Sequence, residues 1–428
     1  MRAIPTSGLQ TEDEDMKLQD LKGQTILMAV SGGLDSCTIT HWLTQHDVDV
    51  VAYTADLGQP DEDDIEDVRQ RMIACGAREM IVGDLREDMA LAGLQLVQSG
   101  ARYEGGYWNT TGIGRHVVVA GMVPEMQSRG IQILGHGATG RGNDQVRFEL
   151  ASEMLDPQVK TYAPWRDDTF LESFGGRREM IAYCEAHSLP AKATLDKPYS
   201  TDSNVLGLTH EAGELEALST PTSRIEPGMG VFPVDAPDTA QSVEIRFEQG
   251  LAVAIDSQSG SPFQIISRAN QIAGAHGVGI GLHAVENRFV GIKSRGIYEA
   301  PGLELIGNSF EYLTQLTLDR RARRVFEQMS GIIAEQIYQG YWFDTATQAC
   351  WAAIEHFNAL ATGTIRVSLY KGNMQFESAS DTPHSLYSED TASMEDVGEF
   401  DHRDSQGFLG VLGVSARALN TAGQIPKR

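Results

Sequence analysis

In the first half of the chain, short apolar runs alternate with stretches of helical periodicity. The run Thr25–Val30 predicts a buried strand because it is short, apolar and bounded by glycines. The same pattern predicts further strands at 48–53, 79–82 and 131–135. Helices are predicted over 35–44 and from Pro60 onward, the second with the acidic residues 61–64 in its first turn, where the helix dipole favours them. Strands and helices that alternate in this way predict a parallel sheet that binds ligands at the carboxyl ends of its strands.

After about residue 190 the pattern changes. The segments Ser242–Phe247 and Leu251–Ile255 alternate apolar and polar residues around Gln249-Gly250, which predicts an antiparallel hairpin. One long helix is predicted over 312–339, and a strand over 364–370. These elements are typical of an α+β domain rather than of a continued parallel sheet.

The change of pattern predicts a division of the chain into four segments. We expect a flexible, solvated extension at 1–22, a nucleotide-binding domain at 23–190, a second domain at 191–406 and a C-terminal arm at 407–428. The boundary between the two domains falls somewhere within 175–200.

Charge and cysteine content narrow the possible functions. The 428 residues include 34 Lys and Arg against 59 Asp and Glu, a net charge of −25. Such a surface repels nucleic acid and anionic membranes, so neither partner is expected. The chain has four widely spaced cysteines, Cys37, Cys75, Cys184 and Cys350. Together with the absence of an apolar leader, they are typical of reduced thiols in a cytoplasmic protein.

The strongest local motif is Ser31-Gly32-Gly33-Leu34-Asp35-Ser36, between the first strand and the first helix. Two adjacent glycines let backbone amides turn inward, and the helix N-terminus adds favourable polarity for an anion. The lysine of a kinase-type phosphate loop is absent. A second glycine-rich stretch, 277–281, resembles a dinucleotide fingerprint, but it has no strand–helix–strand context and is not expected to bind a cofactor.

The loop at 31–36 resembles the PP-loop of the N-type ATP pyrophosphatases, which cleave ATP between its α and β phosphates. Later segments resemble the argininosuccinate synthase family and occur in the order found in that family. They are 52–59, 107–115, 135–149, 199–204, 209–213 and 286–301. The resemblance covers about residues 23–420.

The resemblance implies an adenine nucleotide alpha hydrolase-like domain, a second synthetase domain and a C-terminal oligomerisation arm in a homotetramer. It implies the ligation of citrulline and aspartate in arginine biosynthesis. ATP first adenylates the ureido oxygen of citrulline and releases pyrophosphate. The amine of aspartate then displaces AMP to give argininosuccinate.

The resemblance also implies roles for individual residues. The ATP site would comprise Ala29, Ser31, Gly32, Gly33, Asp35, Ser36, Cys37, Ala55, Gly137 and Asp202. The citrulline site would comprise Tyr107, Asn143, Arg147, Ser200, Thr209, Glu211, Glu286 and Tyr298. Aspartate would be bound by Thr139, Asn143 and Asp144. Asp35 would act through the Mg²⁺ that accompanies ATP, because a carboxylate alone repels phosphate, and Asp144 is the candidate general base. No metal site made only of protein residues is predicted.

Three other interpretations stay open. The chain could be a related adenylating ligase that uses a different ureido or amide substrate, since it differs from the usual family pattern at Cys37, Arg141 and Gly112. It could be a non-catalytic oligomeric homologue, which the intact loop and the Asn143-Asp144 pair argue against. A tRNA-thiolating relative is disfavoured by the net charge and by the lack of a paired catalytic cysteine.

Overall fold

A computed structural model describes residues 16–60, 65–191, 198–392 and 401–426. The helices are α1 Leu18–Leu21, α2 Leu34–Gln45, α3 Ile65–Ala74, α4 Arg86–Ser99, α5 Thr110–Arg129, α6 Asp144–Leu155, α7 Asp168–Ser173, α8 Arg177–Ala186, α9 Pro262–Ala275, α10 Pro301–Thr317, α11 Arg320–Gln339, α12 Thr345–Asn358, α13 Glu389–Ala392 and α14 His402–Thr421. The strands are β1 Thr25–Ala29, β2 Asp49–Asp56, β3 Glu79–Asp84, β4 Ile133–His136, β5 Lys160–Tyr162, β6 Ser200–Asn204, β7 Gly207–Glu211, β8 Gln241–Glu248, β9 Leu251–Ile255, β10 Gln258–Ser259, β11 Leu282–Asn287, β12 Lys293–Glu299, β13 Gly363–Tyr370 and β14 Asn373–Ser380. Short 3₁₀ turns cover Glu104–Gly106, Pro164–Arg166, Gly213–Glu216 and Thr222–Arg224.

The first half forms a parallel sheet with the strand order β3-β2-β1-β4-β5, which confirms the predicted fold class. Its strands are almost continuously apolar because helices cover both faces, and Ile26, Leu27 and Met28 of β1 are fully buried. The chain order reverses at β1, which lies between β2 and β4. A crevice therefore opens between the carboxyl ends of β1 and β4, which is the usual ligand position in open α/β sheets.

The second half contains two antiparallel sheets, with the orders β11-β12-β7-β6 and β10-β9-β8-β13-β14. The predicted hairpin is confirmed, since β8 pairs antiparallel with β9. The two halves are joined directly at β6, where the Asn204 side-chain amide donates to the Thr110 carbonyl at 3.0 Å and the Val205 amide donates to the Leu57 carbonyl at 2.9 Å. The first of the two sheets therefore lies against helix α5 of the first half.

The prediction of one helix over 312–339 was wrong. The chain leaves α10 after Thr317 and starts α11 at Arg320. Between them Asp319 is extended, and its carboxylate accepts hydrogen bonds from the amides of Arg321 and Ala322 at 3.0 and 2.8 Å. An aspartate in this N-cap position starts a new helix even though the helical periodicity runs on without a proline or glycine.

The expectation of a solvated extension at 1–22 also needs correction at its end. Residues 18–21 form the short helix α1, and Leu21 is fully buried. In the sequence Leu21 lies between Asp20 and Lys22, so the local pattern gives little indication that its side chain is buried. The predicted acidic first turn at 61–64 lies outside the described residues, and so do residues 1–15 of the extension.

Candidate active site

The loop that follows β1 forms a compact turn at the switch point of the parallel sheet. The Ser31 amide donates to the Ser36 hydroxyl at 3.0 Å, which closes the turn across the start of α2. Gly32 has φ +73°, and a Cβ there would lie 2.8 Å from the Val68 side chain. Its carbonyl accepts a hydrogen bond from the Arg71 guanidinium. Only glycine satisfies both the backbone conformation and the close packing at this position.

Asp35 lies in the first turn of α2. Its carboxylate accepts a hydrogen bond from the Trp165 indole at 3.2 Å. Burial raises the pKa of Asp35, although the Trp165 hydrogen bond opposes the shift. A carboxylate in this environment is ready to interact with a cation, because the charged form is poorly compensated by the protein alone.

The other residues predicted for the ATP site lie around the same crevice. A Cβ on Gly137, just after β4, would lie 3.8 Å from the Cβ of Asp35, so the two chain segments are neighbours. Ala55 is buried near the carboxyl end of β2. Cys37 is fully buried behind the loop and directs its thiol toward the Gly32 carbonyl. Ala29 is the last residue of β1 and Gly33 is the N-cap of α2. Asp202 is the one residue of the predicted ATP site that lies in the second half, on β6.

Beyond Gly137 the chain enters a cavity of about 170 Å³. It is lined by Tyr107, Thr111, Ala138, Thr139, Gly142, Asn143, Asp144, Arg147, Thr209, Glu211, Glu286, Arg288, Ser294, Tyr298 and Tyr338. These include every residue predicted to bind citrulline or aspartate except Ser200. Ser200 is exposed on β6, beside Glu211 in the strand register, and is not part of the cavity wall.

Strand alternation explains which side chains of the second sheet enter the cavity. Thr209 and Glu211 of β7 line it, whereas the intervening His210 lies on the opposite face of the sheet. There His210 contacts Glu299 at 2.6 Å, and both side chains are almost fully buried. Polar side chains of β7 therefore lie on both faces of the sheet. Thr209 and Glu211 face the cavity, and His210 pairs with Glu299 on the opposite face.

Two arginines and two aspartates form a network at one end of the cavity. Arg115 Nε donates to Asp144 at 3.0 Å, and Arg115 Nη2 donates to Asp202 at 2.6 Å. Arg147 donates to the other oxygen of Asp144 at 2.8 Å. Burial alone would raise the pKa of Asp144, but the two guanidinium groups outweigh it and hold the pKa at about 2. Burial raises the pKa of Asp202 despite its pairing with Arg115.

Tyrosines surround Glu286 at the other end of the cavity. The hydroxyls of Tyr298 and Tyr338 donate to its two carboxylate oxygens, the latter at 2.7 Å. Tyr107 stacks on Tyr298, with ring centroids 4.1 Å apart. Burial raises the pKa of Glu286 to about 6, and the Tyr338 hydrogen bond limits the shift. The cavity thus has the Arg147 guanidinium at one end, within the arginine–aspartate network, and the Glu286 carboxylate at the other.

The tip of the β11–β12 hairpin closes over the glycine-rich loop that follows β4. The Phe289 amide donates to the Asn143 side-chain oxygen at 3.0 Å. Arg288 donates to the Arg141 carbonyl at 3.3 Å and to Glu211 at 3.2 Å. Burial raises the pKa of Glu211, and Arg288 opposes the shift.

Sequence reasoning missed three residues that organise this site, Arg115, Trp165 and Tyr338. Arg115 could have been found because it lies in the first turns of α5, within the segment 107–115 that resembles the family. Trp165 and Tyr338 carry no local signal, since each reaches the site from an element that is remote in sequence.

The glycine-rich stretch 277–281 forms the turn before β11, and all three of its glycines have positive φ. A turn of this kind accounts for the glycines without a cofactor.

The chain matches two family models that together cover most of its length. The arginosuccinate synthase N-terminal HUP domain matches residues 25–190, and the arginosuccinate synthase C-terminal domain matches residues 199–419.

Within the described ranges, no helix is long and apolar enough to cross a membrane, and no group of three or more His, Cys, Asp or Glu residues is arranged to hold a metal ion.

Curated relatives match along almost the whole chain. A protein named argininosuccinate synthase from Rhodopirellula baltica is 38% identical over 396 residues, which are 92% of this chain and 97% of that protein. Proteins of the same name from Desulfitobacterium hafniense and Thermotoga maritima are 37% and 36% identical, over 92% and 91% of this chain and 97% and 95% of their own lengths. A solved Leishmania major tyrosyl-tRNA synthetase aligns over 79% of this chain and 48% of its own at 12% identity, but the TM-score of 0.17 supports no conclusion.

Proposed function

The chain belongs to the argininosuccinate synthase family, and from this premise we propose how its residues divide the reaction. The family ligates citrulline and aspartate with ATP, through a citrullyl-adenylate, and releases AMP and pyrophosphate. The observation that carries our proposal is the continuity of the loop at 31–36 with the cavity, since Gly137 neighbours Asp35 and the next two residues line the cavity wall.

The loop at 31–36 is proposed to hold the β and γ phosphates of ATP. Its backbone turn and its two hydroxyls offer hydrogen bonds without a lysine. Asp35 fits a Mg²⁺ ion bound mainly by the phosphates, because such ions usually take only one or two carboxylates from the protein. When bound, the ion neutralises phosphate charge. The protein itself holds the loop in place through Arg71 and orients Asp35 through Trp165.

Citrulline is proposed to span the cavity from Arg147 at one end to Glu286 at the other. Arg147 is buried and suits the α-carboxylate, because a guanidinium presents paired donors in a fixed fork. Glu286 is proposed to accept the ureido N–H groups and Glu211 to accept the ammonium, because both kinds of donor need an acceptor. The ureido oxygen would then face the crevice at which the phosphate loop lies.

Aspartate is proposed to bind along the loop after β4, through Thr139, Asn143 and Asp144. A pKa of about 2 makes Asp144 a weak base. We therefore propose that Asp144 holds and orients the aspartate ammonium, and that the proton is lost before or during the attack by another route. This proposal replaces the role of general base expected from the sequence.

The experiment is a turnover assay of the purified full-length chain with Mg²⁺, ATP, citrulline and aspartate. We expect pyrophosphate, AMP and argininosuccinate in equal amounts, each detected separately. Omission of aspartate should leave only slow exchange of labelled pyrophosphate into ATP, because the first step is then reversible. Absence of product with citrulline, together with turnover of another ureido compound, would contradict the assignment of the substrate.

The C-terminal arm is proposed to assemble a homotetramer. Helix α14 is exposed along its length and presents the large apolar side chains Phe408, Leu409, Val411, Leu412, Val414 and Leu419. A surface of this kind usually marks an interface. Light scattering after size exclusion should give four times the mass of one chain, and truncation after residue 401 should reduce it.

A cytoplasmic location is proposed because all four cysteines are free thiols and buried.

A further inference from the structure

Tyr338 lies at the last turn of α11 and contacts both charged ends of the cavity. Its hydroxyl donates to Glu286 Oε2 at 2.7 Å. Its backbone carbonyl accepts a hydrogen bond from Arg147 Nε at 3.0 Å, and its ring centroid lies 5.0 Å from the Arg147 guanidinium carbon. One residue therefore touches the proposed carboxylate-binding and ureido-binding groups at the same time.

The position of Tyr338 is itself tightly defined. The side chain is 1% exposed, and its ring stacks on Tyr103 with the centroids 3.8 Å apart and the planes at 11°. The helix ends two residues later at Gly340, which has φ +102° and packs against the backbone of α6 at Arg147. A Cβ at Gly340 would lie 3.4 Å from the Arg147 Cα, so the end of α11 packs closely on the helix that carries Arg147, and the positive φ disfavours any residue other than glycine.

On the basis of the proposed function, we infer that Tyr338 is a positioning residue that sets the separation between Arg147 and Glu286 and so selects the length of the ureido substrate. Its hydroxyl holds Glu286 at a fixed point, while its carbonyl and ring hold Arg147. A substrate whose carboxylate and terminal N–H groups are spaced for citrulline reaches both groups. A substrate one methylene shorter leaves one of them without a partner, which is costly for a buried charge.

The groups that face Glu286 come from every element packed around it. They are Tyr103 and Tyr107 from the first half, Arg147 from α6, Glu211 from β7, Arg288 and Tyr298 from the β11–β12 hairpin, and Tyr338 from α11. Among them, the Tyr338 hydroxyl stabilises the ionised form of Glu286 by direct donation. Loss of that hydroxyl therefore raises the pKa of Glu286 above its native value of about 6.

The test is Tyr338→Phe, which keeps the ring and the backbone carbonyl and removes only the hydroxyl. We expect KM for citrulline to rise about tenfold, as for loss of a hydrogen bond to a charged group, with kcat and KM for ATP changed much less. The acidic limb of kcat/KM for citrulline should move to higher pH, because Glu286 must be ionised to accept the substrate N–H groups. The preference for citrulline over its analogue with one methylene fewer should fall.

The matched control is Tyr103→Phe, in which the partner in the same ring stack loses a hydroxyl that donates to the Asn287 carbonyl instead of to Glu286. This variant should keep the native pH profile and chain-length preference. Replacement of Tyr338 by 3-fluorotyrosine, a stronger donor, should move the acidic limb to lower pH, and it remains informative if the Phe variant does not fold. If both Tyr338 variants match the wild type, the inference is wrong, whereas a wild-type enzyme inactive with citrulline would instead contradict the proposed function.

Discussion

The loop at 31–36 and the cavity that contains Arg147 and Glu286 adjoin each other but are built in different ways. The loop comes from one continuous segment, 31–36, and relies on backbone conformation and two hydroxyls. The cavity takes its side chains from both halves of the molecule, including α6, β7, β11, β12 and α11. The loop needs only a few supporting contacts from outside its own segment, from Arg71 and Trp165, whereas the whole wall of the cavity depends on how separate elements pack. If the sites act as proposed, the phosphates of the nucleotide are bound mainly by one local segment, whereas substrate selection depends on how separate elements pack.

The strongest test of this difference is Asp35→Asn, which leaves the backbone of the loop intact. We expect kcat for pyrophosphate release to fall by about 10²- to 10³-fold, because loss of one preorganised electrostatic contact to the reacting phosphates is costly. Binding of citrulline in the separate cavity should survive, as measured by calorimetry. Native turnover in this variant would remove Asp35 from the proposed role with Mg²⁺.

A smaller effect is expected in the cavity for Arg147→Ala. KM for citrulline should rise about 100-fold, in line with loss of two charge-assisted hydrogen bonds. Arg147→Lys should recover only part of this loss, because lysine retains the charge but lacks the paired geometry. Nucleotide binding, followed by fluorescence of an ATP analogue, should be unchanged in both variants. A matching loss of nucleotide affinity would show that the two sites are not separable.

The two sites should also respond to acid in opposite directions. The lowered pKa of Asp144 means that its ionised form stabilises the folded state by about 2 kcal/mol above pH 5, and this contribution is lost as the pH falls from its ordinary value of 3.8 toward 2. The raised pKa of Asp35 means that its charge destabilises the empty enzyme at neutral pH.

Asp144→Asn should therefore lower the free energy of unfolding at pH 7, and Asp35→Asn should raise it. Urea denaturation of both variants, compared with the wild type, measures the two changes. Shifts of the same sign in both variants would refute the contrast between the sites.

The smallest effect concerns the start of α11, at the opposite end of that helix from the cavity residue Tyr338. Asp319→Ala removes the N-cap of α11, the helix that carries Tyr338 in its last turn, and should lower the free energy of unfolding by about 1 kcal/mol. Because the packing at the other end of the helix is retained, kcat/KM should be unchanged at 25 °C. Asp319→Ser, which can still cap the helix, is the control for thermal denaturation.

The parts that sequence reasoning placed well are those with local signals. The apolar runs at 25–30 and 48–53 and the glycine pair in the phosphate loop each depend on neighbours in the chain, and the fold class followed from their order. The break at Asp319 was missed because a cap of one residue interrupts an otherwise unbroken helical pattern. Arg115 and Tyr338 were missed because their importance comes from partners that are remote in sequence. Ser200, expected from resemblance alone, lies beside the cavity rather than in its wall.

The cavity lies where the two halves of the molecule meet, and this has a consequence for the life of the protein in a cell. Substrates bound there as proposed would contact both halves, so a bound substrate is expected to oppose unfolding and to raise the resistance of the enzyme to proteolysis. At a ligand concentration 100 times the dissociation constant, this linkage contributes about 2.7 kcal/mol. A fall in citrulline concentration is therefore expected to make the enzyme easier to unfold and to cleave.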